Sequence, residues 1–389
     1  MELLNKIKKR FDWKLALIII VLGIISVIAI SSAQTSGQYA TNFAIRQIIW
    51  FVVGFVIIFM ALLLDPEQYR KIAWFALGFG VFLLALVKFG PESIAPIRKG
   101  AARWLQVPVI GLIQPSEFVK SFFILALARV VSKHHETVGY KTLQSDIVLL
   151  GKILATLAIP LYFIISQDLG TSLVFLSITA GVILVSGISW RILAPIFAGG
   201  GALVLSLLWM AVYAQDLLQD KLNLAAFRFK RIYSWLDPYS YPTDEGFNLI
   251  RAITAIGSGE LTGKGYKGRE VYIPENHTDF IFSVIGEEYG FIGASFVIIV
   301  FFVLIYHLTK IALELTDPFS IYVTVGVISM IAFHVVENIG MNIQLLPITG
   351  IPLPFVSYGG SSIFSMSLAL GLVFSIRYYY QTFMFSDDR

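Results

Sequence analysis

Long apolar runs, separated by shorter polar connections, dominate the chain. A helix needs about 20 apolar residues to cross a bilayer core about 30 Å thick. Runs of this kind predict ten membrane-spanning helices, at residues 13–32, 45–64, 73–89, 114–131, 148–166, 171–187, 191–214, 279–306, 319–338 and 358–380. The pattern therefore predicts an all-α polytopic integral membrane protein, with residues 1–389 forming a single membrane domain.

The composition agrees with this fold class and excludes several functions. Of the 389 residues, 57% are hydrophobic and 14% are charged, which is too apolar for an ordinary soluble domain. Cysteine is absent, which excludes disulfides, thiolate nucleophiles and cysteine metal sites. The net charge of +4 is spread between apolar segments, so no nucleic-acid partner is expected. The stretch "GKGYKG" lacks the spacing of a phosphate-binding loop, so no nucleotide is expected either.

Basic residues in the connections predict the orientation of the spans. They cluster before the first span and after the second and fourth spans, so both termini are expected in the cytoplasm. Arg98, Lys99 and Arg103 then fall on the outer side, where they are either tolerated or bind an anion. The long connection at residues 215–278 is also predicted to be external. Its mixed aromatic and basic residues suit either the membrane interface or a solvated connector.

Charged residues at the predicted spans are the first candidates for function, because a charge inside a membrane costs several kcal/mol unless it is paired or hydrated. Glu117 and Lys120 lie three residues apart on span four and can pair. They either lock this span or line a polar cavity in which Lys120 meets an anionic headgroup. Asp168 lies at a tight turn between two spans, where helix capping and function both explain it.

Span eight begins at the stretch "IPENHTDFIF", which holds Glu275, His277 and Asp279. Thr278 is predicted to cap the helix, with Asp279 in its first turn. Glu287 and Glu288 follow about 12 Å deeper, so span eight should face a cavity or be interrupted near its glycines. We interpret the region as an externally open polar pocket with Asp279 at its rim. The proline-rich residues before span ten are expected to wall this pocket.

Five motifs occur in order along these spans: "GAARWL", "QPSEFVK", "SQDLGTS", "IPENHTDFIFSVIGEEYG" and "PLPFVSYGGSS". Together they resemble the SEDS family (shape, elongation, division and sporulation). The stretches "TGKGY" and "LLPITGIPLPFVSYGG" are closer to its RodA-like elongation members than to its FtsW-like division members. The resemblance implies a peptidoglycan glycosyltransferase that polymerises lipid II into glycan strands on the outer face of the bacterial cytoplasmic membrane and releases undecaprenyl diphosphate.

The resemblance also implies roles for individual residues. The essential aspartate of the family corresponds to Asp279, and inversion at an α-linked sugar diphosphate calls for one carboxylate base. The expected substrate-binding residues are Arg103, Trp104, Glu117, Lys120, Asp168, His277 and Ser357. The pyrophosphate leaving group needs positive charge, from Lys120, Arg103 or Lys264, or from a divalent cation such as Mg²⁺ or Mn²⁺.

The family further implies a membrane partner, a class B penicillin-binding protein with transpeptidase activity, and a place in the elongation or division machinery. Two other functions fit the pattern. A lipid II flippase would present polar residues across the whole bilayer, whereas here they cluster on the predicted outer side. A scaffold that only positions the penicillin-binding protein has no need of Asp279.

Overall fold

A computed structural model describes residues 10–34, 42–98, 101–107, 111–138, 140–213, 230–241 and 245–384. The predicted connection at residues 215–278 therefore lies partly outside the described residues. Lys99 lies outside them as well. The helices are α1 (Trp13–Ala33), α2 (Phe43–Ala61), α3 (Pro66–Phe89), α4 (Pro115–Thr137), α5 (Leu143–Ile164), α6 (Leu169–Val185), α7 (Trp190–Tyr213), α8 (Lys230–Leu236), α9 (Glu245–Ser258), α10 (Ile281–Glu314), α11 (Pro318–Asn342) and α12 (Gly360–Met384).

Ten of these helices coincide with the ten predicted spans. In the described part of the chain, eight are long and apolar enough to cross a membrane: α1, α2, α3, α5, α7, α10, α11 and α12. The other two are α4, which carries Glu117 and Lys120, and α6, which has only 17 residues. The prediction of a multi-pass, predominantly helical membrane protein is confirmed.

Two short antiparallel hairpins lie between α3 and α4. The first pairs β1 (Ile97–Arg98) with β2 (Ala101–Ala102), and the second pairs β3 (Leu105–Val107) with β4 (Gly111–Ile113). Arg103 and Trp104 lie in the connection between the hairpins. We call the end of the bundle that holds these hairpins and Asp279 the site end.

Helices α11 and α12 form the centre of the bundle, because α11 packs on α4, α6 and α10, and α12 packs on α2 and α4. Residues 343–359 connect them without regular structure and are named the proline-rich segment here. The second half of the segment is buried in protein: Leu353, Phe355 and Val356 are almost fully inaccessible. Ser26 of α1 donates a hydrogen bond to the carbonyl of Val356, and Gln47 of α2 donates one to the carbonyl of Ser357.

The prediction for the start of span eight was wrong. The helix begins at Ile281, and Asp279 lies in the preceding turn and not in the first helical turn. Thr278 does not cap it, because its hydroxyl donates to the carbonyl of Glu275. The physical reason is tertiary: hydrogen bonds from α11 and the proline-rich segment hold the backbone at residues 277–279 in a turn.

Candidate functional site

The turn that contains Asp279 is held by its backbone from two directions. On one side, the proline-rich segment provides the donors. The amide of Tyr358 donates to the carbonyl of His277 at 2.8 Å, and the hydroxyl of Ser357 donates to the carbonyl of Thr278 at 2.7 Å. The same hydroxyl accepts a hydrogen bond from the amide of Leu353 at 2.8 Å. Ser357 therefore ties the segment to the turn.

On the other side, α11 holds the carbonyl of Asp279 itself. Asn338 Nδ2 and Asn342 Nδ2 donate to this oxygen at 2.9 and 3.2 Å. Asn338 Nδ2 also donates to the carbonyl of Ile351 in the proline-rich segment at 2.8 Å. The buried side-chain amide of Asn338 therefore fixes the backbone of Asp279 relative to the proline-rich segment.

The carboxylate of Asp279 faces the proline-rich segment at Gly350. Asp279 is half-buried, whereas Gly350 is exposed. Gly350 has φ +76°, a conformation that suits glycine, and a β-carbon added there would lie 3.3 Å from Asp279 Oδ2. A carboxylate that is partly exposed on a fixed backbone has the geometry that a general base requires.

Arg103 and Asp168 form a second cluster at the site end. Asp168 caps α6 by accepting a hydrogen bond from the amide of Thr171 at 3.0 Å, as predicted. Its other oxygen lies 3.3 Å from Gln114 Nε2 and 3.9 Å from Arg103 Nη1. Arg103 Nε also donates to the carbonyl of Gln167 at 2.7 Å. The guanidinium is thus oriented, yet the Arg103 side chain remains 32% exposed.

The proline-rich segment brings this cluster and Asp279 together. Gly170, in the first turn of α6 and two residues after Asp168, packs against the proline-rich segment. A β-carbon added to Gly170 would lie 3.0 Å from the carbonyl oxygen of Thr349 and 3.0 Å from the side chain of Ile351. Gly350, between these two, lies beside the Asp279 carboxylate, because a β-carbon added there would be 3.3 Å from Oδ2. Asp279 and the start of α6, which are far apart in sequence, therefore both lie against residues 349–351.

The predicted pairing of Glu117 with Lys120 is confirmed at 2.8 Å. Lys120 is fully inaccessible, and its ammonium also lies 3.1 Å from His334 Nε2. The hydroxyl of Ser365 on α12 donates to the carbonyl of Glu117 at 2.6 Å. The pair is thus part of a buried network. Lys120 and Arg103 were both expected to bind the pyrophosphate, but only Arg103 of these two has an accessible side chain.

Glu287 and Glu288 belong to a separate, closed site. Glu287 accepts hydrogen bonds from Lys264 at 2.9 Å and from the amide of Glu270 at 2.8 Å. Glu288 pairs with Arg269 at 3.4 Å and accepts a hydrogen bond from Ser32. The hydrogen bond to Glu287 raises the pKa of Lys264, so this lysine stays charged.

The predicted interruption of span eight occurs in this closed site, at Gly290, where φ is 61° and ψ is −158°. The amides of Phe291 and Ile292 bond to carbonyls of residues 260 and 261 and not to α10. The carbonyls of Glu287 and Glu288 accept from the amides of residues 264 and 265. The loop at residues 260–265 therefore supplies the backbone partners that a broken membrane helix needs.

Among the described residues, no group of three or more acidic or histidine side chains lies close together. The predicted divalent cation stays a prediction, because Mg²⁺ is often held by one or two carboxylates together with phosphate oxygens of the substrate.

A model of the cell cycle protein family that comprises FtsW, RodA and SpoVE matches residues 9–382. The chain belongs to this family. Stage V sporulation protein E of Bacillus subtilis is 32% identical over 370 residues, which cover 94% of this chain and 95% of that protein. The probable peptidoglycan glycosyltransferase FtsW of Haemophilus influenzae is 30% identical over 414 residues, covering 100% and 99% of the two chains.

Two solved structures share the fold of this FtsW/RodA/SpoVE chain. A chain from a study of how a peptidoglycan synthase complex coordinates polymerization and crosslinking superposes with a TM-score of 0.76 and 25% identity, over 94% of this chain and 97% of that one. The rod shape determining protein RodA of Thermus thermophilus superposes with a TM-score of 0.66 and 25% identity, over 94% and 96%.

Two residues that the family resemblance suggested are located but have less defined roles. The ring of His277 is buried and stacks on Phe43, with centroids 4.6 Å apart. Trp104 is half-buried between the hairpins. Their predicted contact with substrate stays a prediction.

Sequence reasoning missed the polar face of α11 in this family member. His334, Asn338 and Asn342 recur every four residues in an otherwise apolar span, and Glu337 lies beside them. Glu337 accepts a hydrogen bond from the hydroxyl of Thr349 at 2.8 Å. The spacing of four places the three residues on one helix face, and this signal was available in the sequence.

Proposed function

We propose that this family member is a peptidoglycan glycosyltransferase of the elongation type, which polymerises lipid II into glycan strands. One observation carries the proposal: Asp279, which matches the aspartate of the family's HTDF motif, lies half-buried in a turn held by α11 and the proline-rich segment. The names of the FtsW relatives, probable peptidoglycan glycosyltransferases, support the same activity.

In the proposed reaction, Asp279 takes the proton from the acceptor hydroxyl as that oxygen attacks the anomeric carbon of the donor sugar. The new glycosidic bond forms as the bond to the lipid diphosphate breaks, and the configuration inverts. Arg103, whose guanidinium is oriented by Asp168 and partly exposed, offsets the charge on the departing diphosphate. No nucleotide is needed, because the sugar diphosphate bond supplies the driving force.

The reaction requires sugars at headgroup level and lipid tails in the bilayer, so the site end is proposed to face the outside of the cytoplasmic membrane, with both termini in the cytoplasm. A class B penicillin-binding protein is the proposed partner. The similarity to a chain from a peptidoglycan synthase complex supports such a partner.

The test is polymerisation of fluorescent lipid II by purified protein in detergent, with and without a penicillin-binding partner whose transpeptidase serine is inactivated. We expect glycan strands without added nucleotide. Detergent has no second leaflet, so transport cannot account for product. If the complex makes no strands but moves lipid II between vesicle leaflets, the protein is a flippase. If it does neither, it is a scaffold.

A further inference from the structure

His334 lies inside the bundle between the Lys120 ammonium and the proline-rich segment. It is 1% exposed, with Nε2 3.1 Å from Lys120 Nζ and Nδ1 3.2 Å from the carbonyl oxygen of Pro352. A carbonyl oxygen only accepts and an ammonium only donates. Nδ1 must therefore carry the ring hydrogen, and Nε2 must accept from Lys120. The two neighbours select a single tautomer of the neutral ring.

The bond to Pro352 matters because of what lies beside it. Pro352 follows Ile351, whose carbonyl shares the Asn338 amide with Asp279. Gly350, the residue before Ile351, lies beside the Asp279 carboxylate, because an added β-carbon would be 3.3 Å from Oδ2. Displacing the segment at Pro352 thus changes the wall against which that carboxylate rests.

The position of the lysine is equally constrained. Glu117 lies one turn away on α4, and its carboxylate holds the Lys120 ammonium at 2.8 Å. A fully buried ion pair adds little net stability, because desolvation offsets its attraction, but it can specify one arrangement of its surroundings. Here the surroundings include the His334 ring.

From these contacts we infer that His334 is a positioning residue that holds the proline-rich segment in register beside Asp279, and that the Glu117–Lys120 pair fixes the tautomer which makes this bond. The inferred contact stands on geometry alone. Its effect on turnover rests on the proposed function.

Two substitutions separate the two bonds of the ring. The amide of asparagine can reproduce the Nδ1 donor to Pro352, and that of glutamine the Nε2 acceptor to Lys120. His334→Asn therefore keeps the bond to the segment, whereas His334→Gln loses it. Because the chain has no cysteine, a single Ile351→Cys or Leu353→Cys reports on the segment by maleimide labelling. Both positions are buried in the parent.

In detergent-solubilised full-length protein, His334→Gln should speed labelling about fivefold, since one net hydrogen bond is lost from the closed segment. His334→Asn should label at the parent rate. The double variant Glu117→Gln with Lys120→Met removes both charges at similar volume. It should label faster than the parent but more slowly than His334→Gln, because the carbonyl of Pro352 alone still favours the tautomer with hydrogen on Nδ1. His135→Gln, a histidine on α4 far from the segment in sequence, is the control and should not change labelling.

Labelling of the His334→Gln variant at the parent rate, or faster labelling of His334→Asn than of His334→Gln, would overturn the inference. In lipid II polymerisation, His334→Gln should lose about tenfold in kcat with little change in KM, because a misplaced group lowers turnover. Equal turnover of both His334 variants would also contradict it. If the parent makes no glycan, the proposed function fails, while the labelling result still decides the contact.

Discussion

Two acidic regions lie less than ten residues apart at the start of α10, and they differ in how far their carboxylates are exposed. Glu287 and Glu288 are fully buried, and each carboxylate is paired with a cation, Lys264 or Arg269. Asp279 is half-buried, and the hydrogen bonds from α11 go to its backbone carbonyl.

The difference separates structural acids from a candidate catalytic acid. A buried carboxylate held through its side chain by a cation is neutralised and serves the fold. A carboxylate whose backbone is held keeps its position, while the partly exposed side chain can take part in proton transfer. Exposure therefore distinguishes Asp279 from the two buried glutamates that follow it.

The sharpest test of this contrast is Asp279→Asn, which keeps the backbone bonds but weakens the base. We expect about a 10³-fold loss of lipid II polymerisation, the middle of the range for a general base, with unchanged thermal unfolding. Glu275→Gln removes an exposed carboxylate of the same turn and is the matched control. Parent-level activity of the Asp279 variant would reduce this residue to a structural role.

Arg269→Met tests the buried region of Glu287 and Glu288. The substitution removes the cation that pairs with Glu288 and leaves this carboxylate buried. We expect a loss of about 3 kcal/mol in stability, as for other broken buried pairs. The measurement is thermal unfolding in detergent, with Arg269→Lys as the variant that keeps the charge. Activity per folded molecule should persist. A variant as stable as the parent would show that the pair does not hold the loop.

Gly350→Ala adds a methyl group beside Asp279 Oδ2. We expect about tenfold lower turnover and a stability loss of about 1 kcal/mol from the left-handed backbone. Gly111→Ala is the matched control, because Gly111 also has positive φ but open space around it. If both variants lose activity equally, backbone strain and not the contact with Asp279 is responsible.

Arg70→Met is expected to have the smallest effect. Arg70 pairs with Glu136 at 3.1 Å and with Asp317 at 2.7 Å. The exposed fractions of the three side chains are 33% for Arg70, 57% for Glu136 and 41% for Asp317. Exposed pairs contribute less than about 1 kcal/mol. Unfolding and polymerisation should both stay near the parent. A loss as large as that of Arg269→Met would show that burial does not distinguish these pairs.

Local sequence patterns predicted much of this molecule. Apolar length located ten helices, of which eight in the described part of the chain are long and apolar enough to cross a membrane, because a crossing requires about 20 helical residues. Spacing of three predicted the Glu117–Lys120 pair, and a turn aspartate predicted the cap at Asp168. Two adjacent acids and the glycines beside them predicted that span eight faces a cavity or is interrupted, and the interruption occurs at Gly290.

Tertiary structure decided what these elements do together. Asn338, Asn342 and Ser357 bond to the turn at residues 278–279 across sequence separations of 59 to 79 residues, so local propensity wrongly placed Asp279 inside the helix. Whether Lys120 faced a cavity or the core was likewise fixed by its packing against His334 on α11. Helical periodicity encodes neighbours three or four residues apart, whereas contacts between spans depend on how whole helices and the proline-rich segment pack.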